Sequence, residues 1–336
     1  MNSCTNTPFT VFAKVITLIT MNMRYEKVAF NKKLEQHPYL LTRDIIAGAA
    51  AQFSALMDIS FIESDDKAIE KFKSTLLVEK HEQLWQEIWS RHNEEEFEEF
   101  IELKAYRLDI NNLHQYVKDK DCVEFGCGNA AFAFALLKRG ARRVTGVDFG
   151  EKQITFANDY VKRKGLENKA NFMVKSVINT ELPDSTYDFA VSNGVFHHLP
   201  QGDIEKALSE VKRVMKKGGA FWYYVDGKGA ISMDLWDTSV EILKTTDIIM
   251  IENIFKVMNI KRNKAVHIMD GLNATYIHST YDEVTAQLSA HGFGNFKRLT
   301  GGTGTDFDMD TVEADPYGKE KFGEGDIRII CTLFEK

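Results

Sequence analysis

Hydrophobic and polar positions change rhythm along the chain. From about Asn31 to Asn112 apolar residues recur at helical spacing. Thr42 to Met57 is alanine-rich and periodic. Glu79 to Leu113 sets Leu84, Ile88, Phe97, Ile101 and Leu108 mostly three or four apart. From Lys120 short apolar runs alternate with amphipathic stretches. They predict strands at 121–126, 142–148, 170–176, 187–193 and 218–225, with helices at 130–139, 151–164 and 202–216. This alternation is the βαβ rhythm of an α/β fold with a parallel, doubly wound sheet. Lys216-Lys217-Gly218-Gly219 reads as a helix exit, with cations at the negative end and glycines beyond.

Gly227 to Ile277 interrupts the rhythm. Ser232 to Met258 predicts one or two amphipathic helices, too long for a simple connection. A segment after the fifth strand belongs over the carboxyl edge of such a sheet, where ligands bind, so it reads as a lid or substrate wall. A helix at 280–291, strands near 293–299 and 326–334, and a polar loop between them follow. The expected organisation is an N-terminal segment 1–30, frayed or additional, and a helical region 31–118 forming a substrate cap. Residues 119–336 then form the α/β domain, with insertion 227–277 and loop 301–325.

Charge and cysteine usage narrow the classes. The 336 residues carry a net charge of −7, which excludes a chain built mainly to hold nucleic acid. The four cysteines form no C-x-x-C pair and read as reduced thiols of a cytoplasmic protein. The apolar run Thr10–Met21 is interrupted by Lys14 and no small-residue cleavage site follows. It is far short of the roughly 20 residues a bilayer demands, so no membrane span is expected.

The chemistry concentrates in Cys122-Val-Glu-Phe-Gly-Cys-Gly-Asn-Ala-Ala131, a buried strand breaking into a glycine turn and a helix. Asp148 follows Gly126 by 22 residues at the end of the next strand, the spacing of a carboxylate that grips ribose hydroxyls. Gly126-x-Gly128-x-x-Ala131 fits a dinucleotide fingerprint, which would make the chain an NAD-dependent oxidoreductase. Glu124 stands against that. A pyrophosphate needs donors and no nearby anion, whereas a ligand bearing an ammonium or sulfonium welcomes a carboxylate.

Glu124-Phe-Gly126-Cys127-Gly128-Asn resembles motif I of class I S-adenosylmethionine-dependent methyltransferases, with Ala130 at the last glycine. Thr145-Gly-Val-Asp148-Phe149 resembles the end of their second strand. Tyr187 to Leu199, with Asn193, Gly194, His197 and His198, resembles their fourth strand and the loop after it. The resemblance covers roughly Lys120 to Asp226. It implies a seven-stranded, mostly parallel sheet and S-adenosylmethionine as cofactor. Gly126, Cys127 and Gly128 would border the methionine part, with Glu124 near its amino group and Asn193 and Gly194 lining its end. Asp148 would hold the ribose, Phe149 would lie against the adenine, and Ser176 and Val177 would edge it. Ser176 stands where the family often carries an acid, which keeps a non-catalytic adenosylmethionine-binding protein as an alternative.

The acceptor implied is a small molecule or peptide, methylated on oxygen or nitrogen. Methyl transfer needs alignment and water exclusion, and a base only where the nucleophile carries a proton. His197 is the candidate base. Arg107 and Asn111, which share a helix face at i, i+4, together with His198 and Tyr317, are candidate substrate contacts. Asp306-Phe-Asp308-Met-Asp310 begins like a calcium loop, but Thr311 and Tyr317 occupy positions six and twelve, so no metal is expected. The apolar faces of the helical region and the insertion suit a pocket roof or a homodimer surface.

Overall fold

Parallel strands need a crossover between neighbours, and the helices between the apolar runs supply it. The computed structural model describes residues 8–31, 34–58, 94–260, 262–273, 276–303 and 306–334. Two helices, α1 (Pro8–Ala29) and α2 (Pro38–Asp58), come first, then α3 (Glu94–Ile110) and the single turn α4 (His114–Val117). Strands β1 (Asp121–Phe125), β2 (Arg143–Asp148) and β3 (Ala170–Val174) alternate with helices α5 (Ala131–Lys138) and α6 (Glu151–Lys164). Next come β4 (Tyr187–Asn193), α7 (Gln201–Val214) and β5 (Met215–Asp226). Three helices follow, α8 (Ile231–Leu243), α9 (Ile248–Val257) and α10 (Arg262–Asn273). The chain closes with α11 (Tyr281–Ala290), β6 (Phe293–Arg298), short helices α12 (Met309–Ala314) and α13 (Gly318–Phe322), and β7 (Asp326–Leu333).

By their contacts the residues form two compact units. One holds Trp85–Lys228, Tyr276–Asp310 and Glu324–Lys336 and contains a seven-stranded sheet in the order β3-β2-β1-β4-β5-β7-β6. Neighbours from β3 to β5 are parallel, and β7 runs antiparallel to both β5 and β6. The expected class, a doubly wound, mostly parallel seven-stranded sheet, is the one observed. Every residue of β1 is buried, as a strand covered on both faces requires. One face packs Phe97, Ile101 and Leu108 of α3 with α5 and α6, and Phe97 meets Phe134, Phe156 and Tyr160 edge-on. The other packs Ile204, Leu208 and Val211 of α7 with Val284 and Leu288 of α11.

The second unit gathers Met1–Leu84, Gly229–Thr275 and Thr311–Gly323 and is helical. The N-terminal segment, expected to be frayed or additional, is here a packed helix. Val11, Val15, Leu18 and Ile19 of α1 are buried, and Asn22 donates to Ser239 Oγ at 2.9 Å. Spacing of four, seven and eight residues puts those apolar side chains on one helix face. Lys321 Nζ lies 2.7 Å from Asp315 in a buried ion pair. No described helix is long and apolar enough to cross a membrane.

The two helices expected over 232–258 are present as α8 and α9, and α10 follows them. Two further expectations are corrected. The loop 301–325 contains α12 and α13. Lys216-Lys217-Gly218-Gly219 is no helix exit. Met215 already pairs with Tyr187 of β4, so α7 ends at Val214 and the lysines and glycines form an irregular start to β5. Gly218 takes φ +82°, and a Cβ on Gly219 would lie 3.0 Å from Asp188 O. Residues 79–93 of the predicted long helix lie outside the described residues.

The β3–β4 connection is fixed by one carboxylate. Glu210 Oε1 accepts from Thr180 N–H at 2.8 Å, and Arg213 donates to both its oxygens at 2.8 and 2.7 Å. The Arg213 bonds, with help from Thr180 and against burial, pull the Glu210 carboxyl down to about 2. A depressed carboxyl stabilises the fold above its ordinary pKa and loses that contribution as pH falls through the folded value. Glu210→Gln should therefore cost about 2 kcal/mol of unfolding free energy near pH 7 and close to nothing near pH 2, measured by urea denaturation.

Candidate functional site

The site forms at the carboxyl ends of β1, β2 and β4, and glycine chemistry shapes it. Gly126, Gly128 and Ala130 take φ of +68°, +51° and +66°, three left-handed residues within five positions. At Gly126 a second constraint applies, because a Cβ there would lie 2.5 Å from Val195. Ala130 is the N-cap of α5 and brings no side-chain hydrogen bond to it. The helix start is satisfied from elsewhere. Glu124 Oε2 accepts from Ala133 N–H at 2.9 Å, and Asn129 Oδ1 accepts from Ala131 N–H at 3.3 Å.

Two buried carboxylates flank the turn. Glu124 and Asp148 are each 5% exposed. Asp148 Oδ2 accepts from Gly128 N–H and Oδ1 from Gly150 N–H, both at 2.8 Å. Burial pushes the Glu124 carboxyl up to about 8, the Asp148 charge adds to this, and Ala133 N–H and the Lys104 charge oppose it. Burial also raises Asp148, held back by the amides of Gly150, Gly128 and Phe149. Carboxyls raised in this way mark a place that favours a cation. The pair fits a ligand with a cationic amino-acid end and a ribose, because Glu124 Oε1 takes no hydrogen bond among the described residues. Phe149 holds its ring 49% exposed beside Asp148, an apolar platform for a base.

Residues 122–219 match the family model described as a methyltransferase domain. This segment is a class I, S-adenosylmethionine-dependent methyltransferase domain. Over 102 residues the chain is 30% identical to sterol 24-C-methyltransferase ERG6B of Gibberella zeae, covering 30% of this chain and 26% of that protein. Over 146 residues it is 26% identical to a ubiquinone biosynthesis O-methyltransferase of Stutzerimonas stutzeri, covering 44% of this chain and 60% of the relative. The chain thus spans about a quarter of the first relative's length and 60% of the second's.

In the methyltransferase domain the other predicted residues fall as follows. Cys127 is buried behind the turn, its thiol pushed well up by burial, and Gly146 leaves it room, since a Cβ there would lie 2.8 Å from its sulfur. Ser176 is exposed and its Oγ accepts from Ile178 N–H at 3.4 Å, while Val177 packs into the core. Asn193 Oδ1 accepts from Trp222 Nε1, and Gly194 donates its N–H to Tyr224 O. His197 is buried, and its Nδ1 accepts from Asp226 N–H at 3.0 Å. That lone pair is committed, so the neutral ring carries its proton on Nε2 and is ill-suited to accept another. His198 and Tyr276 pack against the His197 ring at centroid distances of 4.3 and 5.1 Å.

Arg107 and Asn111, candidate substrate contacts, fasten α3 and the turn after it to Thr300, Gly301 and Asp306. Arg107 donates to Gly301 O at 3.1 Å and Asp306 Oδ1 at 2.9 Å. Asn111 donates to Thr300 O and accepts from Thr300 N–H. Tyr317 lies in the helical unit, at the N-cap of α13, with its ring against His37.

Spacing alone passed over Tyr224. Its hydroxyl donates to Asp226 Oδ1 at 2.8 Å, Arg328 lies over its ring at 4.5 Å, and a Cβ on Gly194 would meet the ring at 3.4 Å. Its only sequence signal is the aromatic run of β5. Left-handed backbone at Ala130 is strained by about 1 kcal/mol. Ala130→Gly should therefore stabilise the protein by about 0.5–1 kcal/mol in thermal or urea unfolding. Unchanged stability would refute strain at this cap.

Proposed function

We propose that the protein transfers a methyl group from S-adenosylmethionine to an oxygen or nitrogen of a small-molecule or peptide-like acceptor. The observation that carries this is Glu124, buried beside the glycine turn with one oxygen uncommitted and Asp148 on the adjacent strand. Such a pair suits a ligand with positive charge at one end and a diol at the other. The same residue argues against a dinucleotide. A pyrophosphate binds the amides that open the helix after the turn, and Glu124 and Asn129 already hold those of Ala133 and Ala131.

When bound, the cofactor supplies an electrophilic methyl whose leaving group departs neutral. The protein's residues then have to orient, exclude water and, for a protonated acceptor, move a proton. We assign Glu124 to the ammonium, Asp148 to the ribose hydroxyls and Phe149 to the adenine face. His197 we assign to positioning. Its Nδ1 fixes the Asp226 amide at the end of β5, and its carbonyl accepts from Ile277 N–H at 2.7 Å. The relatives' names include carbon and oxygen methylation, and the preference here for oxygen or nitrogen rests on the half-buried, polar edge at Asn193, Tyr224 and Asp226.

Calorimetry should show binding of S-adenosylmethionine and none of NAD, and tight NAD binding alone would overturn the proposal. Asp148→Ala should cost roughly 1.5–3 kcal/mol of cofactor binding. Incubation with a metabolite extract should yield a product heavier by one methylene. His197→Asn should lower turnover by less than about tenfold, whereas a loss on the order of 10²-fold would mark it as the base after all.

A further inference from the structure

Strands β1, β4 and β5 are neighbours and run parallel, so Gly126, Gly194 and Asp226 all lie at one edge of the sheet. Two strand spacings, about 10 Å, separate the glycine turn from the end of β5. Close contacts bridge that interval. A Cβ on Gly126 would lie 2.5 Å from Val195. One on Gly194 would lie 3.4 Å from the Tyr224 ring and 3.9 Å from His197 Nε2. Tyr224 and Asp226, two residues apart, share a face of β5, and the tyrosine hydroxyl donates to Asp226 Oδ1 at 2.8 Å.

Of the titratable groups that meet at this point, three are committed. His197 Nδ1 accepts from Asp226 N–H at 3.0 Å. Tyr224 is held as a donor, because burial pushes its phenol well up and the Asp226 and Asp326 charges add to this. Asp326 Oδ2 accepts from Phe307 N–H at 3.2 Å and from Arg328 at 3.3 Å, and its side chain is 10% exposed. Asp226 differs. Its side chain is 20% exposed, and its Oδ2, 3.7 Å from His197 Nδ1, takes no hydrogen bond among the described residues.

We propose that Asp226 is the catalytic residue that takes the acceptor's proton on Oδ2, with Tyr224 and His197 as its positioning residues. This deepens the methyltransferase proposal and rests on it. A lone pair of the acceptor oxygen or nitrogen forms the bond to the methyl carbon. The acceptor's O–H or N–H bond breaks, its pair stays on the acceptor atom, and the proton passes to Oδ2. The methyl–sulfur bond breaks with its pair left on sulfur, and Asp226 returns the proton to solvent over its exposed side. A carboxylate suffices, because the acceptor atom becomes strongly acidic as the new bond forms.

The test uses methyl-labelled S-adenosylmethionine with a metabolite extract, and calorimetry of the cofactor alone beside it. Asp226→Asn keeps the side-chain shape and an oxygen for the Tyr224 hydroxyl. It should bind S-adenosylmethionine within about twofold of wild type and lower methyl transfer on the order of 10²-fold at neutral pH. That loss should shrink as pH rises, because an acceptor that has already given up its proton needs no base. Asp226→Glu should transfer faster than Asp226→Asn, and Tyr224→Phe should cost less than about tenfold. Unimpaired transfer by Asp226→Asn would overturn the proposal, and a loss equal at every pH would assign Asp226 a structural role. Weakened cofactor binding would place it in the cofactor site instead. The pH-dependent loss in His198→Asn, and not in Asp226→Asn, would make that ring the base. A wild type that binds no S-adenosylmethionine, or binds it and labels nothing, would sink the methyltransferase proposal itself.

Discussion

The bond from Ala133 N–H to Glu124 Oε2 ties the first strand of the sheet to the helix that follows it. A helix start needs acceptors, and the side chain of Ala130 at the cap provides none. The acid therefore closes the helix, and in doing so it is held in a buried place where its charge is costly. Both consequences come from one contact. The turn between them keeps its shape because Val195 lies where a side chain on Gly126 would have to go. Fold and ligand chemistry are inseparable at this point, since removing the carboxylate would loosen α5 as well as the site.

The sheet was readable because its strands are buried on both faces and appear as continuous apolar runs. Glu124, Gly126, Gly128 and Asp148 were readable because turn and acid are set by local spacing. The hydrogen bonds of Arg107 and Asn111 were not readable, for the opposite reason. Their partners, Thr300, Gly301 and Asp306, are about 190 residues away, and periodicity carries nothing over that separation. The Lys-Lys-Gly-Gly stretch was misread because helix exits and irregular strand starts draw on the same residues, and only the pairing of Met215 with Tyr187 separates them.

Arg328 gathers the far end of the domain. It is buried, lies over Tyr224, and donates to Asp306, Asp308 and Asp326. Asp226 and Asp326 face each other across β5 and β7, a like-charged pair that alone would push the strands apart. Burial, with the Asp226 charge adding to it and Arg328 opposing it, lifts the Asp326 carboxyl to about 6. The guanidinium and the Tyr224 hydroxyl hold this end together, so the polar edge of the domain is a balance of paired charges more than a set of independent bonds.

The order of the strands bears on how the domain is made. β7 is the last strand in sequence, yet it sits between β5 and β6. Until Asp326–Leu333 has left the ribosome, β5 and β6 each present an open edge, and either can pair with another chain. A nascent or truncated chain lacking those eight residues thus exposes both edges, whereas with them in place β7 is hydrogen-bonded along both sides.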